Sequence, residues 1–276
     1  MKYVFLNSKF VAESEAKISI KDRGFRFGDG IFETIKIHNS KPKDFQLHFM
    51  RLEEGLREIK INISLTKLRD NAEVLIKKNK QSEGFLRIMI TRGEGSQGYL
   101  PIDNIAPTLI IETINTPHTK QRPASIIVSK LKKIPLDSLP ISFKLMQGMN
   151  SSLAKIDARE HGFDDALMTN HQNLICETSS ANIFLISKGK IYTPSLNSGI
   201  LRGVIRDKII NNFTIIEEKI KLRKLSKFDL IFVTNVAVAS KEITLIASQN
   251  KKVIWESSPK KPSLEIFQKI QSFLKN

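Results

Sequence analysis

The chain has 276 residues, 41% of them hydrophobic, and its 44 Lys and Arg against 28 Asp and Glu leave a net charge of +16. That is enough chain for one large domain or two small ones with a buried core. The single cysteine, Cys176, excludes an internal disulfide and a cysteine-based metal cluster, and the five histidines have no paired spacing, so no metal is expected. No run of about 18 apolar residues occurs, and the start, MKYVFLNSKFVAESEAK, is too mixed and charged for a signal peptide, so the protein is expected to be soluble and cytoplasmic with no membrane partner.

The positive charge raises the question of nucleic acid. It is spread, however. The densest groups are IKKNK (76–80), KLKK (130–133) and NKKVIWESSPKK (250–261), and none carries a known nucleic-acid-binding pattern. Anionic small molecules are the better use of such a field, and a basic nucleic-acid-binding protein is the remote alternative.

In chain order, YVFLN and KFVA read as a short hairpin and IFETIKIHN as an alternating strand. FQLHFMRLEEGLREIKI carries Leu47, Met50, Leu52, Leu56 and Ile59 at helical spacing, and TKLRDNAEVLIKKNK continues as a second helix. GFLRIMITRG and PTLIIETI follow as strands. Residues 115–124, NTPHTKQRPA, are polar with two prolines and mark a linker between a first domain (1–114) and a second (125–276). The second half restarts with the strand SIIVSKLKKI. The helix NSSLAKIDAREHG is closed by Gly162, where glycine takes a left-handed turn without strain. DALMTN, LICET and NIFLISKGKIYTP read as strands, with HQN and SKGK as turns. A helix begins near SGILRGVIRDKIINNF, and LIFVTNVAVASKEITLI supplies the last strands before a C-terminal helix. The class is α/β or α+β with two domains.

GEGSQG (93–98) has the form of a dinucleotide fingerprint, and Glu112 lies about twenty residues on, as that motif requires. The context fails, because YLPIDNIAP with Pro101 and Pro107 leaves no room for the helix that must follow. A loop that bends close to something is the expected use of these glycines.

LICETSSANIFLI (174–186) sets a lone carboxylate, Glu177, between two apolar strands. A buried unpaired carboxylate costs several kcal/mol, so Glu177 is either turned outward at a hairpin or meets a positive partner.

Taken in order, DRGFRFGDGIFETIKI (22–37), HFMRL (48–52), Lys144 in FKLMQGMNSSLAKIDAREHGFDDAL, ETSSANIF (177–184), YTPSLNSGILRGVIR (192–206) and VTN (233–235) resemble the class IV (fold type IV) pyridoxal-phosphate enzymes. That family includes branched-chain and D-amino-acid aminotransferases and 4-amino-4-deoxychorismate lyase. The resemblance runs from about residue 3 to about 245. It implies a smaller N-terminal α/β domain, a larger C-terminal pseudo-barrel domain, a pyridoxal 5'-phosphate cofactor and a homodimer.

What the resemblance implies for single residues follows. Glu177 bonds the pyridine nitrogen, and a carboxylate suits that place because an anion favours the protonated, electron-withdrawing ring. Lys144 is the Schiff-base lysine and proton carrier, which must act as a neutral amine. Arg51 contacts the phosphate. Gly203 permits close approach there, with the amides of Val204 and Ile205 donating from a helix N-terminus and Thr234 adding a hydroxyl. Arg206 is either a helix-surface residue or a support behind the phosphate. Ser179, Ser180 and Asn182 order the cofactor loop.

ITRGEGSQGYLP is similar to the corresponding segment of bacterial aminodeoxychorismate lyases, so release of pyruvate from 4-amino-4-deoxychorismate to give 4-aminobenzoate is the expected reaction. A class IV aminotransferase for branched-chain or D-amino acids is the alternative. Gln97 replaces an arginine of many relatives. Arg92, Gln97 and Tyr99 are the expected substrate-facing residues, and the substrate is a small anionic amine.

Overall fold

The computed structural model describes residues 1–95, 98–116 and 122–275. The chain forms two compact units, Met1–His118 with Phe143–Gln147, and Thr119–Ser142 with Gly148–Asn276.

The first unit holds β1 (Tyr3–Leu6), β2 (Lys9–Ala12), α1 (Arg23–Phe27), β3 (Gly30–His38), β4 (Lys41–Pro42), α2 (Phe45–Glu58), α3 (Leu68–Lys78), β5 (Gly84–Thr91) and β6 (Thr108–Ile114). Its strands form one antiparallel sheet in the order β2-β1-β6-β5-β3-β4. Alternation along β3 sends Ile31, Glu33, Ile35 and Ile37 to the buried face. There α2 and α3 cover the sheet with Leu52, Leu56, Leu68 and Leu75, all buried. The helix predicted over 45–61 forms, but Leu47 and Met50 stay 40% and 48% exposed. His48 and Arg51 take the inward positions instead, because Glu33 faces them from β3. The short segment around Lys144 pairs with β3 through Phe32 N–H to the Lys144 carbonyl (2.9 Å) and a bridge between Ile31 and Leu145.

The second unit contains β7 (Ala124–Lys132), α4 (Met149–Glu160), β8 (Asp165–Thr169), β9 (Ile175–Thr178), β10 (Asn182–Ser187), β11 (Lys190–Pro194), α5 (Val204–Asn212), β12 (Ile215–Glu218), β13 (Leu230–Thr234), β14 (Lys241–Ala247), β15 (Val253–Glu256) and α6 (Lys261–Lys275). The order is β12-β11-β10-β13-β14-β7-β8-β9 with β15 on β14, and the sheet is mixed, β7 running parallel to both β8 and β14. Both faces are covered, so β10 and β13 are buried throughout their hydrophobic residues. Phe184 and Phe232 stack at 5.1 Å on the face closed by α6. Gly162 takes φ +85° directly after α4, as its sequence position predicts, and Lys188–Gly189 turn between β10 and β11 with φ +49° and +72°. The segment expected as a linker, 115–124, lies partly outside the described residues, and β7 has already begun at Ala124.

Candidate functional site

In the second unit, three strand ends and one helix start converge on Glu177. β9 carries Glu177 near its end, opposite Met168 of β8. β10 opens with Asn182, which pairs with Thr234 at the end of β13. By the period of two, Asn182 and Thr234 continue the face of Phe184 and Phe232.

Glu177 is 5% exposed and is not turned outward. Lys133 Nζ lies 2.7 Å from Oε1, Asn182 Nδ2 donates to Oε2 at 2.9 Å, and the Leu201 amide spans both oxygens at 3.3 and 3.2 Å. Asn182 is itself fixed by a second bond from Nδ2 to the Leu201 carbonyl (2.9 Å). The buried carboxylate thus has donors that hold its plane, as such a group requires. Its neighbour Cys176 points away, donating from Sγ to the Ser198 carbonyl (2.9 Å). Burial first, and then the Glu177 charge, push that thiol up to about 12, which leaves it inert as a nucleophile.

Beside Asn182, the chain turns through Gly203 into α5. Gly203 caps the helix without a capping side chain. A Cβ built on it would stand 2.0 Å from Asn182 Oδ1, so only glycine lets the turn approach this closely. The first-turn amides, Val204 and Ile205 among them, have no acceptor within the helix, and with the helix dipole they favour an anion. The Thr234 hydroxyl is buried with no hydrogen-bond partner among the described residues. Arg206, 2% exposed, is no surface residue. Its Nη2 donates to the Pro194 carbonyl (3.0 Å) and to Glu217. Ser180 Oγ donates to Asp165 Oδ2 (3.0 Å), Ser179 donates to the same carboxylate, and Asn235 Nδ2 donates to the Ser180 carbonyl (3.1 Å), which together fix the turn between β9 and β10.

These features fit pyridoxal 5'-phosphate. A close backbone approach at Gly203, an uncapped helix N-terminus and an orphaned hydroxyl suit a phosphate, and an oriented carboxylate with lone-pair capacity remaining suits a protonated ring nitrogen.

In the first unit, Arg51 Nε and Nη2 grip Glu33 Oε1 and Oε2, both at 2.7 Å, and His48 Nδ1 lies 2.7 Å from Oε2. Burial alone would raise the Glu33 carboxyl, but Arg51 and His48 hold it down at about 2. Lys144, half-buried, has Nζ 4.4 Å from the centre of the Phe32 ring. Arg92 bonds Asp29 through Nε (2.8 Å) and Nη2 (3.0 Å) and reaches the carbonyls of Lys60 (2.8 Å) and Ile59 (2.7 Å). Its guanidinium therefore ties the loop after α2 to the end of β5. Arg23 donates to Asp29 and to the carbonyls of Gly98 (2.8 Å) and Tyr99 (2.7 Å), while the Tyr99 side chain is 88% exposed. Gln97 lies outside the described residues.

Sequence reasoning passed over Lys133, the Leu201 amide, the Glu33–His48 pairing and Arg23. Glu33 was readable from its register with Ile31 and Ile35. No pattern separated Lys133 from Lys130 and Lys132.

The model of the amino-transferase class IV family matches residues 30–246. The chain is 31% identical over 242 residues (85% of this chain, 84% of the other) to a Methanocaldococcus jannaschii protein assigned by name to the branched-chain-amino-acid aminotransferases. It is 30% identical over 212 residues (75% and 73%) to the D-alanine aminotransferase of Staphylococcus aureus. The crystal structure of 4-amino-4-deoxychorismate lyase from Pseudomonas aeruginosa superposes with a TM-score of 0.83 at 22% identity, covering 99% of this chain and 98% of that one.

Proposed function

Because the chain belongs to the class IV aminotransferases, a family of pyridoxal-phosphate-dependent enzymes, we propose that it moves the amino group of a branched-chain or D-amino acid to a 2-oxo acid. The observation that carries the reading is the Glu177 cradle, an oriented buried carboxylate beside an uncapped helix N-terminus. Supporting the transaminase over the lyase are the names of the relatives at 30% and 31% identity.

When bound, the cofactor supplies an electron sink for the pair left at the substrate carbon that loses its proton. The chain does the rest. Lys144 would hold the cofactor's aldehyde end through Nζ, and its amine would carry the proton to and from that carbon. Glu177 keeps the ring nitrogen protonated, with Asn182 and the Leu201 amide holding its plane. The amides of Val204 and Ile205 and the Thr234 hydroxyl bind phosphate, and Ser180 helps to order the loop beside them. Glu33 fixes the plane of Arg51, the remaining phosphate candidate. Tyr99 and Gln97 stay assigned to the substrate side.

The lyase is the second reading, favoured by the segment ITRGEGSQGYLP. One experiment separates the two. Cofactor-loaded protein is given L-leucine, L-valine or D-alanine with 2-oxoglutarate, and separately 4-amino-4-deoxychorismate. Glutamate appearing with one of the donors is the expected result. Equal 4-aminobenzoate and pyruvate with no glutamate would replace the proposal with the lyase.

A further inference from the structure

Lys133 Nζ lies at hydrogen-bond distance from Glu177, and nothing in the proposed chemistry uses it. Its position is built into the sheet. β7 pairs with β8 in parallel, and the register shifts between Val128 and Lys132. The Lys133 amide then still reaches the Thr169 carbonyl at 3.0 Å, so the backbone stays attached past the irregular end. Lys132 turns to Thr169 Oγ1 (2.8 Å) and Asn173 Oδ1 (2.9 Å), and Lys133 turns to Glu177. The Lys133 and Glu177 side chains are 12% and 7% exposed, which places the pair out of bulk solvent, where screening is weak.

A carboxylate offers about four acceptor positions. Lys133, the Asn182 amide and the Leu201 N–H take three donors' worth, leaving room for one more. Two neutral donors already fix the orientation of Glu177. What the lysine adds is charge.

We infer that Lys133 is a positioning residue that shares Glu177 with the cofactor's ring nitrogen and partly neutralises the carboxylate facing it. This rests on the proposed role of Glu177. By drawing on Oε1, Lys133 weakens the hold of Glu177 on the ring nitrogen. It also keeps a buried anion paired when the nitrogen is not there to pair it. The chain therefore discriminates less strongly for a protonated ring than an unshared glutamate would.

The test compares two cofactors, pyridoxal 5'-phosphate and its 1-deaza analogue, in which a C–H replaces the ring nitrogen. Both present the same aldehyde and phosphate. Dissociation constants for each are measured on the wild type, Lys133→Met, Lys133→Gln and Lys133→Arg, with Glu177→Gln as the reference. The readout is the ratio of the two constants within one protein, which a general loss of structure moves in both terms together. Should Lys133→Met fail to fold, Lys133→Gln, which keeps a polar head without charge, carries the test. The preference for the nitrogen-bearing cofactor is expected to rise about tenfold in the Met and Gln variants, the order of one charge-assisted hydrogen bond, and to stay at the wild-type level in Lys133→Arg. An unchanged or smaller preference in the Met and Gln variants overturns the inference. A wild type with no preference, and no change in Glu177→Gln, would instead overturn the role of Glu177 itself, which separates the two failures.

Discussion

At the scale of single residues, the site depends on what surrounds Glu177 more than on Glu177 alone. Its orientation comes from Asn182, and Asn182 is held against the turn at Gly203, where a Cβ would stand 2.0 Å from Oδ1. Gly203→Ala must therefore push Asn182 away, loosening the carboxylate and the phosphate turn together. The expected outcome is a loss of cofactor affinity of at least about tenfold with the thermal midpoint little changed, read by titration of the cofactor's absorbance. Unaltered affinity would mean that the turn does not bind the phosphate. Much of this was legible beforehand. The order of short motifs around Glu177, Gly203 and Thr234 pointed to one cofactor, and in the second unit Asn182 links the three, bonding Glu177, pairing with Thr234 and lying against Gly203. Lys133 was not legible, since its direction is set by the register shift at the end of β7, and a strand irregularity of that kind leaves no mark in composition.

At the scale of elements, β3 and α2 are joined by a polar lock within an apolar interface. Glu33 lies between Ile31 and Ile35 on the buried face, and Arg51 and His48, one helical turn apart, meet it. The helix was readable from its spacing. Which face turns inward was not, because Leu47 and Met50 fit an apolar stripe as well as Leu52 and Leu56 do, and the deciding contact is with a distant carboxylate. The lock has a pH signature. The Glu33 carboxyl is lowered from its ordinary 4.5 to about 2, so its contribution to stability is present above pH 4.5 and is lost as pH falls through about 2. The size is about 3 kcal/mol for an interior site of this kind. Urea denaturation of wild type and Glu33→Gln between pH 6 and 2 should show a gap that is constant down to about pH 5 and narrows below it. A gap that stays constant with pH would place the stabilisation elsewhere.

At the scale of the whole molecule, both units leave large apolar side chains in solvent. In the first, Ile20, Phe25, Tyr99 and Leu100 are 74%, 76%, 88% and 84% exposed, and in the second Met149, Leu153 and Ile156 lie at helical spacing along α4. Surface of this kind is what an interface between copies would cover. Sedimentation is expected to give a homodimer, and a fully active monomer would contradict that. The charge of +16 is diffuse, and no helix among the described residues is long and apolar enough to cross a membrane. The division into two parts was legible from the polar segment 115–124, whereas the strand order was not, since periodicity names strands without saying which lie side by side. Lys144 and Glu177 are proposed to serve pyridoxal-phosphate chemistry on an amino acid. The most direct measurement is a single-turnover spectrum of the cofactor-loaded protein mixed with an amino donor alone, beside Lys144→Ala. The visible band of the wild type is expected to bleach as the amino group is taken up, with release of an equal amount of 2-oxo acid, and the variant is expected to show neither change. A wild type whose spectrum is indifferent to every amino donor, or a Lys144→Ala protein that bleaches at the same rate, would contradict it.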